Sequence, residues 1–260
     1  MSYFGSTEYA LQVARGLVSG VTSVNKFGAA PDGVQTSATD IWSRANAAVT
    51  QQIWIAPTEP RQHAIVSSST DDDGSPVGKG ARALRVYGLT AWDVAEASED
   101  LTLNGTTPVD TANSYVIIHR MKVLDCGEEG PNVGTITATA DTDGTVTAVI
   151  LPGDGQTEMA IYGVPSVQDF YLTRWSCAMA KNTTGYVSFE LRVNENPDVQ
   201  LTAFLRKNDL AVVSTGNNNV EKIFINPVKY AGPCIIKVQG AANANDTDAK
   251  SGFDGYLVTK

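Results

Sequence analysis

TITATADTDGTVTAVI, residues 135–150, indicates the fold class, because two alternating runs flank the dipeptide Asp143-Gly144. Asp-Gly between alternating runs is among the strongest local signals for a β-hairpin. In the first run, threonines occupy every second position and Ile136 and Ala138 occupy the positions between them. Alternate residues of a strand face opposite sides of a sheet. The stretch therefore predicts an antiparallel hairpin with one wet face and one buried face.

Short runs of the same texture recur along the rest of the chain. Between residues 53 and 258 we count about fifteen segments enriched in Val, Ile, Thr, Tyr and Phe and separated by turn residues. Few windows have helical spacing. This pattern is typical of a β-sandwich or barrel rather than of alternating β–α units. We predict an all-β fold, an antiparallel β-sandwich of the jelly-roll type.

The N-terminal region has a different composition. Residues 6–19 carry apolar side chains at helical spacing and form a candidate short helix. Residues 21–40 are rich in Gly, Ser, Thr, Asn and Ala, which predicts an extended arm that becomes ordered on a neighbouring subunit. The prediction is an arm over residues 1–50 and a sandwich over 51–260, with a possible internal seam near 163–168. The candidate contact residues of the arm are Asn25, Lys26, Phe27 and Trp42.

Composition excludes several classes of partner. The chain has 19 Lys and Arg against 28 Asp and Glu, a formal net charge of −9, whereas a nucleic-acid partner requires a basic face. No run of about 20 apolar residues is present, so no membrane partner is expected. The first residues lack the pattern of a secretory signal, which predicts folding in a cytoplasm. Cys126, Cys177 and Cys234 are widely spaced and are expected to be buried free thiols.

SSSTDDDGSPVGKGARALRVYGL, residues 67–89, is the stretch that most resembles a ligand loop. It departs from a phosphate-binding loop, because the glycine spacing is one residue short and Gly80 stands where Ser or Thr is needed. It also lacks the later ligands of a calcium loop. A solvated loop that leads into a buried strand is the favoured interpretation, and a weak cation site at Asp71 and Asp73 is the alternative.

No catalytic constellation emerges from the other polar residues. His63 and His119, the two histidines, both lie inside apparent strands and are expected to be packed. The acidic runs at residues 96–100 and 126–130 fit charged strand edges or loops. No nucleophile motif, metal motif or dinucleotide fingerprint is present. We therefore predict no catalytic residue, no cofactor and no enzymatic activity. The four dispersed tryptophans favour core or subunit-interface roles over a glycan platform.

Several stretches together resemble a family of virion structural proteins of tailed bacteriophages, common in marine and freshwater phages. The stretches are VNKFGAAPDGVQTSATDIW (24–42), VGKGARALRVYGL (77–89), SEDLTLNGTT (98–107) and IYGVP (161–165). The resemblance spans most of residues 21–260 and implies a β-rich particle component without enzymatic activity. Residues 29–52 depart from the usual family pattern near the tryptophan.

The resemblance leads to a specific expectation about function. The first hypothesis is a capsid decoration or cement protein that stabilises the head through protein–protein contacts. The alternatives are a tail component, such as an adaptor, tube or fibre-base subunit, and a glycan-binding surface module. The expected partners are the major capsid protein or tail proteins, together with other copies of the chain. The expected location is the virion, assembled in the bacterial cytoplasm.

Overall fold

A computed structural model describes residues 6–44, 51–180, 185–215 and 218–260. Within these ranges the chain forms one short helix, α1 (Ser6–Ala14), and sixteen strands. The strands are β1 (Val21–Val34), β2 (Thr39–Asp40), β3 (His63–Ser67), β4 (Ala81–Leu89), β5 (Ala97–Thr102), β6 (Val109–Asp110), β7 (Ile117–Cys126), β8 (Ile136–Ala140), β9 (Val146–Ile150), β10 (Ile161–Val164), β11 (Gln168–Ala180), β12 (Tyr186–Asn194), β13 (Leu205–Val213), β14 (Asn219–Ala231), β15 (Cys234–Ala242) and β16 (Thr247–Thr259).

The described strands form four antiparallel sheets, which confirms the prediction of a nearly all-β protein. The first sheet has the order β1-β16-β11-β14, and the second has the order β10-β15-β12-β13 with β2 added to β15. The third sheet has the order β6-β3-β8-β9, and the fourth has the order β5-β4-β7.

The helix predicted for residues 6–19 is present over its first nine residues. It ends before Gly16, whose φ of 70° belongs to the left-handed region.

The first and second sheets share one apolar core. Phe170, Trp175 and Phe253 of the first sheet lie in the same buried cluster as Phe189 and Val238 of the second. Strand β12 shows how the sheets share this core. Its buried residues alternate with half-buried ones, so one face of the strand is apolar throughout and packs into the core. We call these two sheets the main unit and their interior the first core.

The third and fourth sheets come from residues 54–157, which lie in sequence between β2 and β10. We call this stretch the insert. Its sheets bury a second core that includes Ile65, Leu84, Met121 and Ala138. The second core also contains Trp42, which precedes the insert. The chain therefore leaves the main unit after β2, builds a separate β structure and returns at β10.

Strands β10 and β15 separate the two cores. All four residues of β10 are buried, and so are eight of the nine residues of β15. Along β15, Ile236 and Val238 belong to the first core, whereas Ile235 belongs to the second. Successive side chains of a strand point to opposite faces, so each of these strands contributes to both cores. Strands β10 and β15 of the second sheet are thus covered by the first sheet on one face and by the insert on the other.

The extended arm predicted for residues 1–50 differs from the structure where the chain is described. Residues 21–34 form β1, which pairs with β16 from Val21↔Val258 to Ala30↔Ala249. Small residues in this stretch allow close packing rather than weakening the fold, because a Cβ on Gly28 would lie 2.3 Å from the Ala160 nitrogen. Residues 1–5 and 45–50 of the predicted arm lie outside the described residues.

The predicted seam near residues 163–168 falls on the connection between two strands of the main unit. Val164 ends β10 and Gln168 begins β11, and both strands contribute to the first core. The boundary between the two cores instead follows the two connections to the insert. The sequence offered no local sign of it, because residues on the two sides of each connection have the same β-type composition.

The hairpin predicted at residues 135–150 is present as β8 and β9, which pair in antiparallel register. Ile136, Ala138 and Ala140 are buried and the threonines between them are half-buried, as expected. Positive φ occurs in the turn at Thr142 (67°) and Gly144 (65°), whereas a type I′ turn would require it at two consecutive residues. The amide of Gly144 donates to the carbonyl of Ala140 at 3.0 Å.

Replacing Gly144 with Val should destabilise the protein by about 1–2 kcal/mol, because an L-residue is strained in the left-handed region. No atom lies within 4 Å of a Cβ at this position, so the effect is conformational rather than steric. Gly144→Asn is the matched control and should cost much less, since Asn tolerates that region. Urea unfolding measures both variants. Equal loss of stability in the two variants would contradict the assigned backbone geometry.

Candidate functional site

The acidic cluster of residues 71–73 is organised around its middle member. Asp72 is fully buried, and its carboxylate accepts hydrogen bonds from Ser67 Oγ at 2.5 Å and from the Ala81 amide at 2.7 Å. It also accepts from the amides of Val133 and Gly134, both at 2.8 Å. Four donors satisfy a buried carboxylate without a metal ion. Asp72 therefore joins the loop to β3, β4 and the segment before β8.

The predicted cation candidates Asp71 and Asp73 have different surroundings. Asp73 accepts the Ser75 amide at 2.7 Å, which is a local turn contact. Within the described ranges, no group of three or more His, Cys, Asp or Glu side chains is arranged to hold a metal ion. Gly78 and Gly80 allow the loop to pack closely on itself, since a Cβ on either residue would lie about 2 Å from an atom of Asp71 or Asp72.

Replacing Asp72 with Asn should reduce the free energy of unfolding by about 3 kcal/mol, because buried donors lose a charged acceptor. Asp73→Asn is the matched control in the same cluster and should have little effect, because its side chain supports only a local turn. Thermal unfolding measures both. A control as damaging as Asp72→Asn would show that the cluster acts as a whole rather than through its buried member.

Both histidines are buried in strands, as the sequence predicted. His63 Nδ1 lies 3.0 Å from the carbonyl oxygen of Arg61, which assigns the proton to Nδ1. The ring packs edge-on against Tyr115, with centroids 6.3 Å apart. Burial lowers the pKa of His63 to about 4, so the ring is neutral at neutral pH. His63 is therefore a packed residue rather than a general base.

His63 should make stability depend on pH. Its pKa is 6.5 when unfolded and about 4 when folded, so the unfolded state binds more protons between these values. Stability should fall by roughly 3 kcal/mol as pH drops through this window. His63→Asn retains a donor for the Arg61 carbonyl and should remove this contribution. Unfolding curves of the two proteins at pH 7 and pH 4.5 measure the difference, and parallel pH dependence would contradict the assignment.

A cluster of titratable groups lines a cleft of about 350 Å³ between β1 of the main unit and the insert. Lys26 is buried on β1, and its Nζ donates to the main-chain oxygen of His119 on β7. His119 Nε2 lies 2.5 Å from a carboxylate oxygen of Glu96. Its ring packs on that of Tyr162, with centroids 4.4 Å apart. The Arg120 guanidinium donates to the Asn25 carbonyl at 3.1 Å. We call this the seam cleft.

The charge states in the seam cleft follow from burial and these contacts. Burial lowers the pKa of His119 despite the nearby Glu96 carboxylate, so the neutral ring donates from Nε2. Partial burial alone would raise the pKa of Glu96, but the hydrogen bond from His119 and the nearby cations lower it. Burial and the charge of Arg120 lower the pKa of Lys26 to about 7.

A second polar cluster joins β2, β15 and the beginning of the insert. Lys237 Nζ lies 2.6 Å from Asp40 Oδ2, and both side chains are buried. The Trp54 amide donates to the same oxygen at 2.8 Å, and Gln239 donates to Asp40 Oδ1 at 3.0 Å. Burial raises the pKa of Asp40, and the Lys237 ammonium opposes that rise. The pair fixes the point where the chain leaves the main unit.

The structure places the four predicted arm residues in contact with their own chain. Asn25, Lys26 and Phe27 lie on β1, and Asn25 donates to Asp254 on β16 at 2.5 Å. Trp42 is 1 % exposed and belongs to the second core. Sequence reasoning found Lys26 but missed the other cleft residues Glu96 and His119, since 70 or more residues separate Lys26 from them.

The remaining candidates divide into buried and exposed groups. Cys177 and Cys234 are buried free thiols, and burial raises the pKa of each to about 12. Cys126 is exposed, contrary to expectation, because it lies at the outer end of β7.

In the acidic run 96–100, Asp100 pairs with Arg85 at 2.5 Å, and Glu99 accepts a hydrogen bond from the Tyr115 hydroxyl at 2.8 Å. These contacts fit the predicted strand-edge role.

The outer face of β14 carries exposed apolar side chains. Ile225 is 93 % exposed and Ile223 is 69 % exposed, and they occupy alternate positions of the strand. Phe224, between them, packs against the first core. Ile223 is paired with Arg174, whose neighbour Trp175 points inward. Ile223 and Ile225 therefore project away from the first core on the same side of an edge strand.

Comparisons with family models and with curated proteins identify no relative of the chain, so its function is inferred from the geometry of the structure. No protein-family model matches the chain. No curated protein matches it either. Within the part of the chain that the structure describes, no helix has the length and apolar character needed to cross a membrane.

Proposed function

We propose that the chain is a non-enzymatic structural protein of a tailed-phage virion, specifically a capsid decoration protein. The observation that carries the proposal is the pair of exposed isoleucines on β14. Ile223 and Ile225 lie on an edge strand, where apolar side chains and free backbone groups favour contact with another protein. A neighbouring virion subunit would cover them.

The order of strands in the main unit supports a jelly-roll architecture. Eight of its nine strands contribute, and each pairs with the strand at the mirrored place in chain order: β1 with β16, β10 with β15, β11 with β14, and β12 with β13. The sheet orders interleave early and late strands in the manner of two Greek keys. A ring of propeller blades would instead be built from successive strands. Jelly rolls are frequent in viral shells.

The candidate chemistry supports a non-enzymatic role. Asp72 and His63 are held by contacts within the chain, and their surroundings explain them as structural groups. Among the polar clusters of the described residues, the one in the seam cleft most resembles an active site. In this cluster, Glu96 accepts a hydrogen bond from His119, whose ring is neutral. No nucleophile with an adjacent base is assembled there.

Two alternatives remain open to experiment. A tail adaptor, tube or fibre-base subunit would also use exposed apolar edges. A glycan-binding module is favoured by one observation, which is that Trp92 lines a cleft of about 620 Å³ together with Val199 and Asp198. Trp42, Trp54 and Trp175 are fully buried and contribute no such surface. Loss of binding by Trp92→Ala on a glycan array would support that function.

Replacing Ile223 and Ile225 together with Asp should leave the protein folded and abolish its incorporation into virions, because charged side chains oppose burial at an interface. Val77→Asp is the matched control, since Val77 is 70 % exposed on an insert loop. The measurement is the amount of each variant in purified particles, with circular dichroism as a check of folding. Normal incorporation of the double variant would contradict the proposed contact.

The copy number of the native protein in those particles separates the two virion locations. A stained gel should show it at an abundance comparable to the major shell protein if it decorates the head. An abundance comparable to that of tail-ring proteins would favour the tail alternative. Absence of the protein from purified particles would reject both.

A further inference from the structure

We propose that the seam cleft binds a carboxylate group, held by Lys26 and Arg120. This inference does not depend on the proposed function. The cleft opens between β1 of the main unit and the insert, and its volume of about 350 Å³ accommodates a small organic anion. Its charged side chains come from three separate parts of the chain.

Lys26 has unused hydrogen-bonding capacity. The side chain is 4 % exposed, and its ammonium carries three donors. Among the described residues, the one acceptor that hydrogen-bonds to Nζ is the main-chain oxygen of His119, and no carboxylate forms an ion pair with it. Buried charges in proteins are ordinarily paired with an opposite charge. An anion in the cleft would supply the missing partner.

Arg120 is the second cation without a carboxylate partner. Its guanidinium donates to the main-chain oxygen of Asn25, and no described carboxylate forms an ion pair with it. The planar guanidinium has five donors in a geometry that matches a carboxylate. Arg120 is half-buried and lines the same cleft as Lys26. The two cations are close enough for the charge of Arg120 to lower the pKa of Lys26.

The sum of charges favours a monoanion. The charged groups facing the cleft are Lys26, Arg120 and Glu96, and His119 is neutral. Two cations and one carboxylate leave a single positive charge when Lys26 is protonated. Glu96 is hydrogen-bonded to His119 Nε2 at 2.5 Å and forms no close ion pair with Lys26 or Arg120, although the charges of both lower its pKa. One carboxylate would complete neutrality.

The carboxylate can come from a free small molecule or from another protein chain. The chemistry is the same, and neutral groups such as Tyr87 and Gln168 at the cleft can donate to either. Two probes distinguish the sources. Acetate represents the free anion, and the tripeptide Ala-Ala-Ala represents a chain terminus, with its C-terminally amidated form as the comparison.

The test is a titration of the ¹⁵N-labelled full chain with sodium acetate at pH 6.5, compared with sodium chloride at equal ionic strength. We expect acetate to shift the amide signals of Lys26, Arg120 and Tyr87 saturably. Arg120→Gln and Lys26→Met should each weaken acetate binding about tenfold or more, as expected for loss of a charged hydrogen bond. Lys122→Gln is the matched control, because Lys122 is exposed on the same strand and does not line the cleft.

A second readout separates binding from a purely structural role of these residues. Bound acetate should raise the pKa of Lys26 above about 7, and by linkage acetate affinity should fall as pH rises through that value. Glu96, His119, Tyr87 and Tyr162 face the same cleft, so the pKa is measured on the Lys26 side-chain signal itself.

Tighter binding of the free-acid tripeptide than of its amidated form would identify a protein terminus as the source. Acetate binding with no difference between the two peptides would identify a free anion. Both results support the site. Equal effects of acetate and chloride, or acetate binding unchanged in both Arg120→Gln and Lys26→Met, would overturn it.

Discussion

The structure depends on strands β10 and β15 being buried on both faces. Ile236 and Val238 of β15 pack into the first core, while Ile235 faces the second. A strand buried on both sides has little freedom to shift its register, because a slip by one residue exchanges the two faces. On the side of β15 toward the insert, Lys237 meets Asp40 in a buried pair that would be costly to break. The insert is therefore attached to the main unit by packing as well as by chain connections.

This arrangement leaves the outer strands to make external contacts. The first sheet ends in β14, whose Ile223 and Ile225 are exposed, although a monomer gains nothing from apolar side chains at those positions. The polar clusters lie at the boundary with the insert, where Asp40, Lys237 and Lys26 are buried. The boundary thus combines rigidity with the charge imbalance of the seam cleft. The rigidity of this boundary is consistent with the proposed role of holding neighbouring subunits in place.

Local patterns in the sequence were sufficient for the fold class and for several residues. Alternation predicted the hairpin of β8 and β9, and it predicted that His63 and His119 would be packed. Long-range register was not predictable, because β1 pairs with β16 across more than 200 residues of chain. The same limit explains why the sequence did not reveal the pairing of residues 21–34 with β16 or the Glu96–His119 contact. Small residues such as Gly28 suggested weak folding, but they allow the close approach that the packing requires.

The most direct test of this account follows the two cores separately during unfolding. Trp54 Nε1 donates to the Thr147 carbonyl in the insert, and Trp175 Nε1 donates to Ser251 Oγ in the main unit. Their indole signals in ¹⁵N-correlated spectra report the two cores during a urea titration. Because β10 and β15 belong to both cores, the native signals of Trp54 and Trp175 should disappear with one midpoint. Loss of the native Trp54 signal at a urea concentration where Trp175 remains native would contradict the claim that strands β10 and β15 couple the two cores.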